Sequence, residues 1–204
     1  MIDSQFRLFA EKNILSLDEL SRIFAEYKIA VSESFWENLS NELNIDIPDG
    51  YSYHTEGKRF DNGGALDERT CGWKRDISGL IGVMPRRDIV VCFGNYVSKQ
   101  QLSLGEWPLY RPWTGIKVWL DEKRAEETKI LTAIDQQRSL IKSEPRDNNW
   151  HFYRHHPQLD IKAVGLLGSY DALVGATLPK NLETIKTELI EWVKLIEDIL
   201  LQVQ

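Results

Sequence analysis

The chain has only two cysteines in 204 residues, Cys71 and Cys92, which excludes a disulfide framework. It has no run approaching the roughly 20 apolar residues that a membrane span needs. Its first stretch, MIDSQFRLFAEKN, lacks an apolar core behind a basic region, so export is not expected. No glycine-rich loop ends in Gly-Lys-Ser/Thr, and no Gly-x-Ser-x-Gly elbow occurs. Nothing therefore points to a nucleotide cofactor. These absences lead to the expectation of a cytoplasmic protein with reduced thiols, Cys92 in a buried strand and Cys71 in a polar loop. The length suits a single domain over 1–204 with a core that needs no staples.

Positive charge is in short supply overall. The net charge of −6 argues against indiscriminate nucleic-acid binding. The distribution is uneven: residues 1–50 carry 4 basic and 10 acidic side chains, 51–120 carry 10 and 7, and 121–204 carry 11 and 14. The middle segment holds Lys74, Arg75, Arg86 and Arg87, a basic patch able to steer a phosphate backbone or an acidic partner. Beside it the proline-broken stretch EWPLYRPW groups Trp107, Tyr110, Arg111 and Trp113. Aromatic and arginine side chains together are typical of binding hot spots and base-stacking surfaces, and equally of loops pinned to a core.

Patterning divides the chain into an N-terminal helical part (1–50), a sheet core (73–156) and a C-terminal amphipathic helix (180–204). Ser16 and Glu19 form a capping box that predicts a helix start, followed by Leu17, Leu20, Phe24 and Tyr27 at helical spacing. A second helix is expected through Phe35, Trp36, Leu39 and Leu43, stopped by IPDG. Residues 51–72 read as a hairpin around Asn62-Gly63-Gly64 or as a long loop. Strands are predicted in ISGLIGVM, DIVVCFGNYV and WTGIKVWL, the last with Trp113, Gly115 and Lys117 alternating against Thr114, Ile116 and Val118. A helix from about Lys123 to Lys142 and a strand in WHFYRHH follow, with LDIKAVGLLG as a fifth strand or an extended edge. The last helix carries Leu182, Ile185, Leu189, Trp192, Ile196, Ile199 and Val203 at alternating spacings of three and four. That is either a face covering the sheet or a heptad seam for homodimerisation through 182–203. The expected fold is α/β, or α+β, with a mixed central sheet of four to five strands flanked by helices.

The α-β-β-β-α-β order resembles the core of the PD-(D/E)xK nuclease superfamily. The matching positions are Asp88 at the start of DIVVCF, the triplet Asp121 to Lys123 after GIKVWL, and Glu37 or Glu42 on the early helix. The resemblance implies Mg²⁺ bound by the carboxylates of Asp88, Asp121 and Glu37, with Lys123 holding the attacking water or the developing charge. Two arginines separate Pro85 from Asp88, and the in-strand triplet Gly115 to Lys117 has no acid, which implies a degenerate site. The Phe35-Trp36 helix, the acid-rich helix after the third strand, the tryptophan-led strand and the Trp192 helix are also similar to bacterial domains that accompany nucleases and restriction-type proteins. What these resemblances imply is a nuclease-like binding or assembly module in DNA processing or phage defence, contacting DNA or a protein partner. Two alternatives stand beside it: an active Mg²⁺-dependent endonuclease using Asp88, Asp121 and Lys123, and a protein-interaction subunit dimerising through its last helix. An aspartate before a strand is also an ordinary turn residue, and DEK before a helix an ordinary N-terminus.

Overall fold

No proline or glycine occurs before Pro48, so nothing in the backbone stops the first helix. In the computed structural model, which describes residues 4–58, 66–82, 87–98, 112–118, 124–137, 152–155 and 178–203, helix α1 runs over Ser4–Ile45. Two helices had been expected, with a start at Ser16; that residue lies inside α1. The one departure from helical geometry is at Asn13 (φ −121°, ψ 18°), whose side-chain amide donates to the Phe9 carbonyl at 2.8 Å. Asparagine competes in this way for a carbonyl that the helix would otherwise use, and the helix kinks. After Ile45 the chain turns through Pro48 and Gly50, which has φ 79°, a region that favours glycine.

The polar stretch after it is a hairpin rather than a long loop. Strand β1 (Ser52–Lys58) pairs antiparallel with β2 (Leu66–Asp76), and the connecting turn lies outside the described residues. Cys71 therefore sits in a strand, 1% exposed, not in a polar loop. ISGLIGVM, expected as a strand, instead begins with buried Ile77 and a single helical turn, α2 (Ser78–Ile81). Asp76 accepts from the Ser78 N–H at 2.9 Å and Gly82, at φ 62°, ends the turn. Strands β3 (Asp88–Ser98) and β4 (Trp113–Val118) follow, then helix α3 (Ala125–Gln137), strand β5 (Phe152–His155) and helix α4 (Leu178–Val203). LDIKAVGLLG, and Ile141 in the second half of the predicted third helix, lie outside the described residues.

The strands form one five-stranded sheet in the order β1-β2-β3-β4-β5, and every described pairing is antiparallel. The expected class and strand number hold, but the sheet is not mixed. Antiparallel neighbours with helices on one face place the fold at the α+β end of that class.

Alternation decides which face is the core. Ile89, Val91 and Phe93 of β3 join Cys71 and Trp73 of β2, Thr114-flanking Ile116 and Val118 of β4, and Phe152 of β5 on the helix-covered side. Phe35, Trp36, Leu39 and Leu43 of α1 and Ile130 and Ile134 of α3 complete it. The seam of α4 is part of the same cluster: Ile185, Leu189, Trp192, Ile196 and Ile199 are all at most 2% exposed. Pairing two copies through that seam would require it to leave this core. Polar anchors set the helices in place. The Trp73 indole donates to the Leu43 carbonyl at 2.8 Å, satisfying one of the carbonyls that a helix C-terminus leaves open. The Trp192 indole donates to Thr114 Oγ1 at 3.2 Å, and Thr114 donates to Glu188 at 3.1 Å.

Candidate functional site

The opposite face of the sheet carries the residues that alternation turns away from the core. They are His54 and Glu56 of β1, Gly72 and Lys74 of β2, Asp88, Val90, Cys92 and Gly94 of β3, and Gly115 and Lys117 of β4. Gly72, Cys92 and Gly115 stand in one register row, so the middle of this face has almost no side-chain height. A Cβ on Gly72 would collide with the Val91 carbonyl and the Cys92 backbone, so the close approach requires glycine.

Over this floor Lys117 Nζ donates to Glu56 Oε2 at 2.8 Å. Glu56 shares its register row with Thr70, Gly94 and Trp113, so it is three strands from β4 and Lys117 is a further four residues along. In a flat sheet those offsets are roughly 14 Å across and roughly 13 Å along. Two side chains cannot bridge that diagonal, so the contact requires the sheet to curl, with this face on the inside.

The charges on the inner face are matched. Lys117 holds Glu56 below the usual carboxylate range, chiefly through their hydrogen bond. His54 Nε2 lies 3.7 Å from Glu56 Oε2. Burial pushes His54 below its ordinary range, helped by Lys74 and Lys117 and opposed by Glu56 and Asp88. Lys74 Nζ is 4.0 Å from Asp88 Oδ2. Cys92, fully buried among them, is pushed well up by desolvation and is a poor nucleophile. Cys71 points to the other face, and both thiols are free.

The predicted site residues are distributed differently. Asp88 lies on the inner face. Glu37 is on α1 and lines a groove with Glu56 and Thr70 of the hairpin, whereas Asp88 sits at the end of β3 that pairs with Asp76. Asp121, Lys123, Arg86, Trp107, Tyr110 and Arg111 lie outside the described residues. The basic patch is divided. Lys74 faces inward to Asp88. Arg75 lies on the core side, 3.2 Å from Glu197 of α4 and over the Tyr51 ring at 5.5 Å. Arg87 reaches both oxygens of Glu127 at 3.3 Å. Glu127 is fully buried, so Arg87 is the counter-ion of an interior carboxylate. Among the described residues no three His, Cys, Asp or Glu side chains are grouped to hold a metal ion. Asp88 shares its face with another carboxylate, Glu56, and with a lysine on the neighbouring strand, Lys117.

His54, Glu56 and Lys117 were not among the predicted site residues. The signal was there in part: His54 and Glu56 are two apart, the spacing of one strand face. It was hidden because residues 51–72 have the polarity of a loop.

Glu37 belongs to a second recess, a groove of about 690 Å³ between α1 and the β1–β2 hairpin. Glu33, Trp36, Glu37 and Asn41 line it from α1, Thr55 and Arg69 from the hairpin. Arg69 lies 5.2 Å over the Trp36 ring and 3.0 Å from Glu33.

Compared with known proteins, the chain matches no protein-family model, no curated protein and no solved structure. Among the described residues no helix is long and apolar enough to cross a membrane.

Proposed function

We propose that the protein is a binding or assembly module on a nuclease-like core, without catalysis of its own, that engages a protein partner through the first half of α1. The carrying observation is the exposure of that half. Leu8, Phe9, Ile14, Leu15, Leu20 and Ile23 are all open to solvent, Leu15 to 83%. The helix has 42 residues, about 63 Å at 1.5 Å per residue, and its core contacts come from Phe35, Trp36, Leu39 and Leu43 near its end. Large apolar side chains concentrated in water mark an interaction surface.

The absence of catalysis in this reading is supported by the matched charges. Asp88 faces Lys74, Glu56 holds Lys117, and Glu37 lines the groove beside α1. A protein partner is favoured over a phosphate backbone because Lys74, Arg75 and Arg87 have intramolecular counter-ions. The setting in bacterial DNA processing or phage defence, in the cytoplasm, rests on the family resemblance. The second reading is a Mg²⁺-dependent endonuclease, favoured by Asp88 and Lys117 sharing one face of adjacent strands.

Two measurements separate them. Plasmid DNA incubated with the protein and Mg²⁺ or Mn²⁺ is expected to stay supercoiled; nicking that disappears in Asp88→Ala would establish the second reading instead. Affinity capture with the full chain is expected to retain a protein that the Leu15→Glu/Ile23→Glu variant loses. Equal recovery by both would remove α1 as the docking element.

A further inference from the structure

The groove between α1 and β1 has a chemistry that neither the nuclease resemblance nor the apolar half of α1 uses. Two of its three carboxylates are matched within the chain, Glu33 by Arg69 and Glu56 by Lys117. Glu37 is exposed, and among the described residues no cation pairs with it. Trp36, 5% exposed, lines the same groove, and its indole N–H is buried without an acceptor. A buried donor left unmade is costly, so this one favours a ligand that brings an acceptor. The ring already holds one guanidinium, that of Arg69, which shows its face suits a cation. The groove is lined by Arg69 and Thr70 of β2 and by Thr55, Glu56 and Gly57 of β1, the outermost strand, which among the described residues pairs on one side only. The outer row of backbone N–H and C=O groups of β1 is a template for one more strand.

We propose that this groove receives an extended lysine- or arginine-bearing segment of a partner protein. The segment adds to the outer edge of β1, sets its cation against Glu37 and supplies a backbone carbonyl to the Trp36 indole. Charge favours a basic occupant, since residues 1–50 carry 4 basic and 10 acidic side chains. A free polyamine has the cation but neither the carbonyl nor the edge pairing, so it satisfies one of the three requirements. The site is separate from the apolar half of α1 and stands or falls independently of it.

The probe is a fluorescein-labelled, end-blocked hexapeptide of alternating threonine and lysine, titrated into the full chain by anisotropy while the Trp36 indole is followed by ¹H–¹⁵N NMR. Saturable binding with a shift of that indole resonance is expected. Glu37→Gln, at an exposed position that leaves the fold intact by circular dichroism, is expected to weaken it at least about tenfold, the loss of one charged hydrogen bond. Methylating alternate backbone nitrogens of the peptide is expected to abolish it. Glu37→Lys is expected to lose the lysine peptide and gain one of alternating threonine and glutamate. The Leu15→Glu/Ile23→Glu variant is expected to bind the peptide as the wild type does. Absence of saturable binding, an affinity unchanged in Glu37→Gln, equal binding of the methylated peptide, or displacement by spermidine at equal charge would each overturn the proposal.

Discussion

His54 shows most directly how one side chain reports on its surroundings. Desolvation first, then Lys74 and Lys117, lower its pKa from the ordinary 6.5, so the folded state favours the neutral ring. The unfolded chain then binds more protons below that value, and stability falls as pH drops from about 6.5 toward the lower folded pKa. Above 6.5 the ring is neutral in both states and this contribution is fully present. Urea midpoints across pH 7 to 5 should fall for the wild type and fall less for His54→Gln; parallel curves would show that His54 is not the titrating group. Glu56 acts in a separate window. Its pKa is depressed from 4.5 by Lys117, so its stabilisation is lost only as pH falls below that value. At the same scale, the arginines beside Asp88 were legible as a patch but not as separate residues. Sequence proximity places Lys74 and Arg75 together; the two-residue period sends one to the inner face and the other to α4.

At the scale of elements, the last helix takes the first of the two readings its spacing allowed, a face covering the sheet. Both long helices carry apolar residues three and four apart. On α4 that stripe lies under the sheet, Leu189 fully buried; on the first half of α1, Leu15, Leu20 and Ile23 are exposed. Leu189→Ala should therefore cost about 2–5 kcal/mol, the range for a core truncation that leaves a cavity. Leu15→Glu should change stability by no more than about 0.5 kcal/mol, as for other surface positions. Thermal or urea denaturation of the two variants checks the contrast, and comparable losses would mean that α1 packs along its whole length. The strand assignments for DIVVCFGNYV and WTGIKV were readable from short apolar, β-branched runs, and their faces from the two-residue period, although Ile89 to Phe93 are buried on both faces. ISGLIGVM was not, because a short helical turn, with Asp76 accepting from the Ser78 N–H and Gly82 at its end, forms in a segment as apolar as any strand. The hairpin at 52–76 was half-readable: it was one of the two readings of the segment, but its polar faces look like loop until an inner surface exists for them.

For the whole molecule, the curl of the sheet brings Glu56 to Lys117, and beneath them the β2 and β3 backbones approach closely at Gly72. Gly72→Ala places a methyl group against the Val91 carbonyl and the Cys92 backbone, neither of which can rotate away. A loss of about 2 kcal/mol or more is expected from such overpacking, measured by chemical denaturation. A neutral outcome would show the sheet able to flatten there. The chain's own residues determined that it would be a sheet with helices on it, that β3 and β4 would be strands, and that α4 would have one apolar side. Those properties are local, set by period, propensity and breakers over ten or twenty residues. Only the tertiary structure decided that the sheet is antiparallel throughout and that α4, not a second copy, fills its helix-covered face. It also decided that Glu56 reaches Lys117 across two intervening strands. These are pairings between residues up to 146 positions apart, as Tyr51 and Glu197 are, and a linear pattern holds no term for which distant surfaces fit.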